Sequence, residues 1–412
     1  MSGTTHLPLV PQSPGVPSTR RRLLAGAGTA AVAFAGCTAV RRSRLGDALR
    51  EPPERRVAPD WRPGPGTWAD GGYGPTNTRH NPHASPPRGP PDVAWRQDLP
   101  GPPNSLVVAE GRVYCSTREG LVAFDAATGE RRWERPADAA AVLAYVDGRL
   151  YATNTDEEVA ALTPGGTERW RTAVAAEALK DLHEQDGYVF LGTFSGHRVL
   201  HADTGDVVRA RDATWEFLAS AGGAVYTARG SAPGTPVTYG VDGPDLAERW
   251  DVGTACSVGR PVVDAGRVYY PVDPTNSAGC PGRRRLWAHD LSGARLWTAT
   301  VEGATRYPAV DGHRVFVPTK AEGSDGGRLI SLGVDGTPRW THRVPGSIRD
   351  PTVADGTVYA GPSRNDRTPL VALDAPTGER LWERPVSRDV RIAAAGGTLY
   401  VGDGDGLLAL RD

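Results

Sequence analysis

Short runs of alternating apolar and polar residues follow one another along most of this chain, separated by turns that contain glycine. One phrase recurs eight times, about 40 residues apart: glycine, a variable residue, an aliphatic residue and usually an aromatic one. Aspartate often precedes the glycine, and Asp-Gly between apolar runs predicts a hairpin, because both central residues of a type I′ turn need positive φ. The copies begin at Gly111, Gly148, Gly187, Gly223, Gly266, Gly312, Gly356 and Gly397.

A second phrase follows most of these hairpins. It reads LVAFDAATGERRW at residues 121–133 and VALDAPTGERLW at residues 371–382: a strand, a turn and a strand that ends in tryptophan. Each repeat therefore predicts four short antiparallel strands, with the tryptophan wedged between neighbouring repeats and its N–H in need of a partner. The third repeat has Val207 and Val208 instead. The other repeats carry Trp133, Trp170, Trp250, Trp297, Trp340 and Trp382.

Repetition of this unit predicts an all-β ring. A lone four-stranded sheet leaves two apolar faces wet, and radial stacking buries both. We predict an eight-bladed β-propeller of four-stranded antiparallel blades over residues 93–412. The last repeat ends after its third strand, and residues 93–100, with Trp95, resemble the missing fourth strand. An N-terminal strand is therefore expected to complete the last blade and remove an exposed edge.

Residues 1–36 have the layout of an export signal. Arg20 and Arg21 fit a twin-arginine pattern, an uncharged run of apolar and small residues follows, and small residues precede Cys37. This order predicts export, lipid attachment at Cys37, and anchoring to the outer face of the cell membrane or cell envelope.

Residues 37–92 are rich in arginine and then in proline, which predicts an extended tether. Trp61, Trp68 and the run at residues 71–82 are unusual in such a segment. Two interpretations stay open for them: plain disorder, or a cover over one face of the following domain.

Composition narrows the classes of partner. The formal net charge is −1, with both signs mixed along the chain, so there is no basic field for nucleic acid. Beyond the leader no apolar run is long enough to span a bilayer, so membrane contact is expected through the lipid alone. We expect a monomer whose partner is an envelope protein or peptide.

The phrase Ala-x-Asp-x-x-Thr-Gly-x-x-x-Trp at residues 123–133 and 372–382 resembles the PQQ-like repeat. The resemblance covers residues 93–412, and with a lipid anchor the chain looks similar to the BamB-type lipoproteins of outer-membrane assembly. Family enzymes that use the quinone PQQ carry adjacent cysteines over it, and carboxylate, asparagine and arginine ligands for calcium. No two cysteines are adjacent here, so no cofactor is expected, and PQQ is the alternative. The signatures of WD repeats do not recur.

Two interpretations stay open for Cys256 and Cys280, which flank the first hairpin of one repeat. They form a disulfide, worth ~3 kcal/mol if unstrained, or they are free thiols. Cys115 lies on a central strand and is expected to be a buried small hydrophobe.

The other polar clusters in the sequence are explained without a catalytic or metal-binding role. His197 and His201 share one side of a strand but lack a third metal ligand, which favours ordinary surface histidines. The run at residues 402–406 lacks the closing glutamate of a calcium loop and predicts a tight turn. No catalytic or metal-binding residue is predicted. Three aspartates recur before turns and are interpreted as turn caps: Asp125, Asp290 and Asp374.

Two functions remain. The first is a non-catalytic cell-envelope scaffold that binds a protein partner on loops at residues 273–285, 320–328 and 361–368. The alternative is a quinoprotein-like enzyme, or a small-ligand binder or sensor, that uses the central channel of the propeller.

Overall fold

The structure of this chain is a computed structural model, and its described residues lie between Arg56 and Asp412. The described residues contain strands, turns and bends but no helix. Arg20, Arg21, Cys37 and Cys280 lie outside the described residues. The described ranges are 56–58, 60–136, 140–154, 156–174, 179–193, 196–212, 217–228, 237–240, 247–251, 256–273, 284–305, 307–320, 326–363 and 368–412.

The described strands form eight sheets, and in most of them strands that follow one another in the chain pair with one another. The segment before the first repeat contributes β1 (His80–Asn81) and β2 (Asp92–Gln97). The first two repeats form β3 (Ser105–Ala109), β4 (Arg112–Ser116), β5 (Leu121–Asp125), β6 (Arg131–Arg135), β7 (Ala140–Val146), β8 (Arg149–Asn154), β9 (Glu158–Leu162) and β10 (Glu168–Ala173). The next two form β11 (Leu179–Gln185), β12 (Tyr188–Thr193), β13 (Gly196–His201), β14 (Val207–Asp212), β15 (Phe217–Ala221), β16 (Ala224–Ala228), β17 (Val237–Gly240) and β18 (Ala247–Asp251).

The remaining repeats complete the set. The fifth and sixth form β19 (Ser257–Val258), β20 (Val262–Asp264), β21 (Arg267–Asp273), β22 (Arg285–Asp290), β23 (Arg295–Thr300), β24 (Ala304–Thr305), β25 (Ala309–Val310), β26 (Arg314–Lys320), β27 (Gly327–Gly333) and β28 (Pro338–Val344). The last two form β29 (Thr352–Ala354), β30 (Thr357–Ala360), β31 (Leu370–Asp374), β32 (Arg380–Arg384), β33 (Arg391–Ala395), β34 (Thr398–Asp403) and β35 (Gly406–Arg411).

The sheets close into a propeller around a central channel. The inner strands β3, β7, β11, β15, β20, β25, β29 and β33 contact one another in that order, and β33 contacts β3. The last sheet has the order β2-β35-β34-β33, so the N-terminal strand pairs with the C-terminal one and covers its free edge. Tight hairpins turn the chain at the Asp-Gly pairs: φ is 43° at Asp147 and 81° at Gly148, as a type I′ turn requires.

The prediction of an eight-bladed propeller of four-stranded antiparallel blades is wrong. Seven blades take their main strands from one continuous stretch of chain each, and the remaining sheet is assembled from β2 and the last three strands. Three sheets have five strands, and one of these gains β1 in parallel pairing with β29. In the other two, the inner strand is split just before Pro261 and Pro308, because proline has no N–H to give to the sheet.

The two recurring phrases meet in the packing between sheets. In each tryptophan-bearing sheet, the aromatic residue of the first phrase packs on the tryptophan of the second, with ring centroids 5.8 Å apart for Tyr114 and Trp133. The indole N–H then donates to a carbonyl of the next sheet, as from Trp170 to Ala202 at 2.8 Å. The same bond is made by Trp95, Trp133, Trp250, Trp297 and Trp340.

The glycine of each Thr-Gly-type turn makes room for the tryptophan of the preceding sheet. A Cβ atom at Gly205 would lie 2.4 Å from Cε3 of Trp170, and φ at Gly205 is +75°. The glycine is therefore needed both for the turn and for the wedge. Trp382 has no such turn beside it, and its N–H donates to the carbonyl of Pro87 instead.

Residues 56–91, which we call the strap, pack on the propeller. The sequence left open whether this segment covers one face of the propeller, and the structure answers that question for its described part. The strap exchanges backbone hydrogen bonds with the inner strand or first turn of every sheet. The propeller residues in these bonds are Val108, Tyr145, Asp186, Ser220, Val263, Val310, Val353 and Gly396.

Substitution Trp170→Ala is expected to lower the free energy of unfolding by ~3–5 kcal/mol, because it removes a buried wedge and leaves a cavity between sheets. Urea unfolding of the purified protein measures this change. Val208→Ala serves as the control, since this valine lies on the fourth strand of the third repeat and is only half-buried, and its truncation should cost ~1 kcal/mol or less. Equal costs for the two variants would contradict the wedge role.

Candidate functional site

The two faces of the propeller differ. The turns between the first and second, and between the third and fourth, strands of each sheet lie on one side, which we call the turn face. The remaining connections lie on the other side, which we call the loop face. The strap bonds to the ends of inner strands near the turn face, at residues such as Val108 and Val310. It therefore closes the turn-face end of the channel.

A cavity of about 270 Å³ lies on the loop-face side of the strap. Its walls come from the first residues of the inner strands and the residues just before them, and its floor comes from the strap. The polar lining residues are Asp70, Asn77, Arg79, Asn104, Ser105, Asp181, His183, Arg260, Tyr307, Arg349, Asp350 and Arg391.

Prolines place three of these side chains in the channel. Arg260, Tyr307 and Asp350 each precede a proline that stands shortly before an inner strand. A residue before proline is restricted to extended conformations, and the proline cannot continue the sheet pairing. The chain therefore leaves the sheet at the same level in three successive repeats, and the pre-proline side chains line the cavity.

The strap supplies the floor through residues in unusual backbone conformations. φ is 57° at Asn77 and 53° at Arg79, in the left-handed region that non-glycine residues rarely adopt. Hydrogen bonds to distant parts of the ring hold them there. Nδ2 of Asn77 donates to the carbonyls of Leu218 and Pro261, at 2.6 and 3.1 Å. Nε of Arg79 donates to the carbonyl of Pro351 at 3.0 Å.

Charges of both signs are paired around the cavity. Nη2 of Arg260 lies 2.5 Å from Oδ1 of Asp181, and its guanidinium carbon lies 4.9 Å above the ring of Tyr307. Asp389 stands behind the cavity wall and accepts hydrogen bonds from two guanidinium groups, those of Arg349 and Arg391. Pairing of this kind offsets part of the cost of removing these charges from water.

Burial sets the protonation states in the cavity. It lowers the pKa of His183 to about 3, so this imidazole is neutral at physiological pH. Burial, together with the nearby Arg349, also lowers the pKa of Arg391 to about 10, but the guanidinium stays charged. Burial raises the pKa of Asp70, although the N–H of Gly72 and two arginines oppose the shift.

The residues singled out by the sequence lie elsewhere. Cys115 is a free, fully buried thiol on β4, as expected, and burial raises its pKa to about 12. Cys256 is disulfide-bonded, while its proposed partner Cys280 lies outside the described residues. The expectation of surface histidines on β13 is wrong for His197, which is only 4% exposed and whose pKa burial lowers to about 4. His201 is half-buried.

The recurring aspartates cap their turns. Oδ1 of Asp125 accepts hydrogen bonds from the backbone N–H groups of Ala127 and Thr128, at 2.9 and 3.0 Å. Asp290 and Asp374 bond to their own turns in the same way. The Arg132 side chain also hydrogen-bonds to Asp125. This bond has the largest effect on the pKa of the Asp125 carboxyl, and together with the backbone bonds it lowers that pKa. The recurring aspartates therefore have a structural role in the turns of the repeat, whereas the charged residues of the channel do not recur from repeat to repeat.

Sequence reasoning missed the channel cluster. Its members come from the strap and from inner strands far apart in the chain, so no local motif joins them. One signal was present: an arginine, tyrosine or aspartate before a proline at the same place in three repeats, at residues 260–261, 307–308 and 350–351. Residues that break a repeat in the same register are candidates for the channel.

A sequence profile described as outer membrane protein assembly factor BamB matches residues 92–143, 118–239 and 282–412. The chain belongs to this family. A search of curated protein sequences gives no significant match to it.

Solved structures similar to this family member share its fold at low sequence identity. A quinohemoprotein alcohol dehydrogenase from Pseudomonas putida is 14% identical, with a TM-score of 0.68 over 87% of this chain and 83% of that one. BamB from Moraxella catarrhalis is 13% identical, with a TM-score of 0.61 over 78% of this chain and 99% of that one. A computationally designed protein, Ika8, is 13% identical with a TM-score of 0.65, over 78% of this chain and 99% of that one. At these identities the likeness concerns the fold alone.

The channel residues do not reproduce the quinone site that the resemblance describes. The cavity lining contains no cysteine, so it lacks the adjacent cysteines that lie over the quinone in the family enzymes. Within the described ranges, no group of three histidine, cysteine or acidic side chains is arranged to hold a metal ion. Nor do those ranges include a helix with the length and hydropathy needed to cross a membrane.

Acidification is expected to destabilise the protein through His183. Its folded-state pKa of about 3 lies below the ordinary 6.5, so its contribution to stability is complete above pH 6.5 and is lost as the pH falls toward 3. Between pH 6.5 and 4.5 this lowers the free energy of unfolding by ~2–3 kcal/mol. Urea unfolding at pH 7 and 4.5 should show a smaller loss for His183→Gln than for the wild type. The exposed His313→Gln should keep the wild-type loss, and an equally steep loss in His183→Gln would contradict the assignment.

Proposed function

We propose that this chain is a non-catalytic cell-envelope lipoprotein that holds a protein partner on the loop face of its propeller. Membership of a family described as outer membrane protein assembly factor BamB supports a role in envelope assembly. The observation that carries the proposal is the closed turn face. There the strap fills the end of the channel and tight turns join the strands.

The loop face is free to differ between repeats. Its connections range from residues 194–195, between β12 and β13, to residues 274–284, between β21 and β22. Variable loops on a fixed scaffold are the usual place for binding. Of the three loops that the sequence assigns to the partner, residues 274–283, 321–325 and 364–367 lie outside the described residues.

Photo-crosslinking tests the binding face. A photo-reactive amino acid at Glu119 or Arg388, both exposed on the loop face, is expected to give discrete protein adducts in the native membrane fraction. The same group at Ala127, exposed on the turn face, should give none. Adducts are separated by gel and identified by mass spectrometry. Adducts from Ala127 equal to those from the loop-face positions would sink the proposal.

The localisation is a second part of the proposal, and its evidence is the sequence around Cys37. The protein from its native membrane fraction is expected to have an intact mass that corresponds to a chain starting at Cys37 with added acyl groups. In Cys37→Ser the acyl mass should be absent and the protein should leave the membrane fraction. A wild-type chain that is unprocessed or free of lipid would contradict the anchor.

A small-ligand binder in the channel is the second candidate function, and the cavity above the strap favours it. Sites for small molecules are concave, with a few buried polar groups that fix the ligand. The channel has this form, with both apolar and polar walls. The quinoprotein version of this candidate is the less well supported, since the cavity lining has no cysteine pair to lie over the quinone.

A further inference from the structure

Asp350 lacks the partners that a buried carboxylate needs. Its side chain is only 10% exposed, and Oδ1 has no hydrogen-bond partner. Its nearest guanidinium nitrogens, Nη2 of Arg79 and Nε of Arg349, both lie 3.9 Å from Oδ2. That distance is beyond a hydrogen bond, and a single group beside each pair could hydrogen-bond to both of its atoms.

Two more residues that line the cavity, Asn77 and His183, each carry a buried acceptor atom without a partner. Oδ1 of Asn77 has none, although the residue is only 2% exposed, and the two bonds of Nδ2 to carbonyls fix which amide atom is the oxygen. The His183 ring is 3% exposed and hydrogen-bonds the carbonyl of Pro75. That bond takes the only proton of the neutral ring, so the unpartnered Nδ1 is an acceptor.

The unpartnered acceptors around the cavity determine which kind of ligand could bind there. Each unpartnered acceptor requires a hydrogen-bond donor, and an ionised carboxylate or a phosphate-ester dianion has none to offer. An ammonium group donates, but four guanidinium groups line the cavity and repel it. A hydroxyl group both donates to Asp350 and accepts from Arg79 or Arg349, so it can bridge the 3.9 Å gaps.

The walls agree with a hydroxyl-rich ligand. Leu106, Val142 and Ile392 line the cavity between the polar groups and can contact C–H surfaces. A cavity of about 270 Å³ is small for a ligand pocket and suits a single ring. The arginines are largely paired with Asp181 and Asp389, so the site does not call for a charged ligand.

We propose that the channel binds a small neutral polyhydroxylated ligand, a single sugar ring or cyclic polyol, between Asp350, Asn77 and His183. The strap forms the floor of this site, so the site is incomplete without residues 70–79. The inference rests on the second candidate function and is independent of the loop-face scaffold.

Saturation-transfer NMR on the full chain tests the proposal. The neutral probes are D-glucose, D-galactose, N-acetyl-D-glucosamine and myo-inositol, and the charged probes are PQQ with calcium and putrescine. At least one neutral probe is expected to receive saturation. Its signal should fall about tenfold in Asp350→Asn, because the loss of a charged acceptor weakens the hydroxyl contact. Asp335→Asn should leave the signal unchanged, since this carboxylate caps an exposed turn.

A second variant guards against misfolding of the first. Val142→Phe leaves all three acceptors in place but fills part of the cavity, and it should also abolish the signal while thermal unfolding stays close to the wild type. Saturation that survives both variants overturns the assignment. Binding of PQQ or putrescine alone would keep a channel ligand but overturn the ligand class. Saturation of none of the six probes would overturn both, and would leave the cavity to ordered water.

Discussion

Every inner strand of the propeller turns one edge toward the channel, and the N–H and C=O groups on that edge have no neighbouring strand to pair with. Unpaired backbone groups in a closed interior are costly, and a free edge invites pairing with other chains. The strap answers this constraint. Its carbonyls accept from the N–H groups of inner-strand residues such as Ser220, Val263 and Val353. One passage of the chain thus touches all eight sheets.

The strap also supplies hydrogen-bond acceptors at the junction where the repeat is interrupted. The last sheet lacks a third-to-fourth turn, because its fourth strand arrives from the N-terminal side as β2. Trp382 therefore has no turn to pack on, and Pro87 supplies the carbonyl for its N–H. The hydroxyl of Tyr359 donates to the carbonyls of Pro86 and Pro87. The Trp382 side chain, the strap and the sheet closed by β2 therefore meet at the same junction between sheets.

The sequence predicts what is local and repeated. Asp147-Gly148 and the tryptophan phrases specify hairpins and wedges from neighbouring residues, and eight copies reinforce one another. The five-stranded sheets were not foreseen, because they arise where Pro261 and Pro308 break the pattern and where β1 adds in parallel. The channel site was not foreseen either. Its bond from Arg79 to Pro351 joins residues 272 apart, and no single-sequence pattern carries such a contact.

The channel charges are hard to explain by stability alone. Replacement of a buried ion pair by well-packed apolar residues is often neutral or stabilising by ~1–4 kcal/mol. Arg149 shows what a structural buried arginine looks like here, since it contacts Ala202, Asp203 and Tyr151 within the packing between sheets. Asp350 differs, because its carboxylate lines a cavity and stands 3.9 Å from both of its cationic neighbours. At that distance the ion pairs of a buried carboxylate contribute little to stability. A hydroxyl group that bridges the carboxylate and an arginine would give both of them a charge-assisted hydrogen bond.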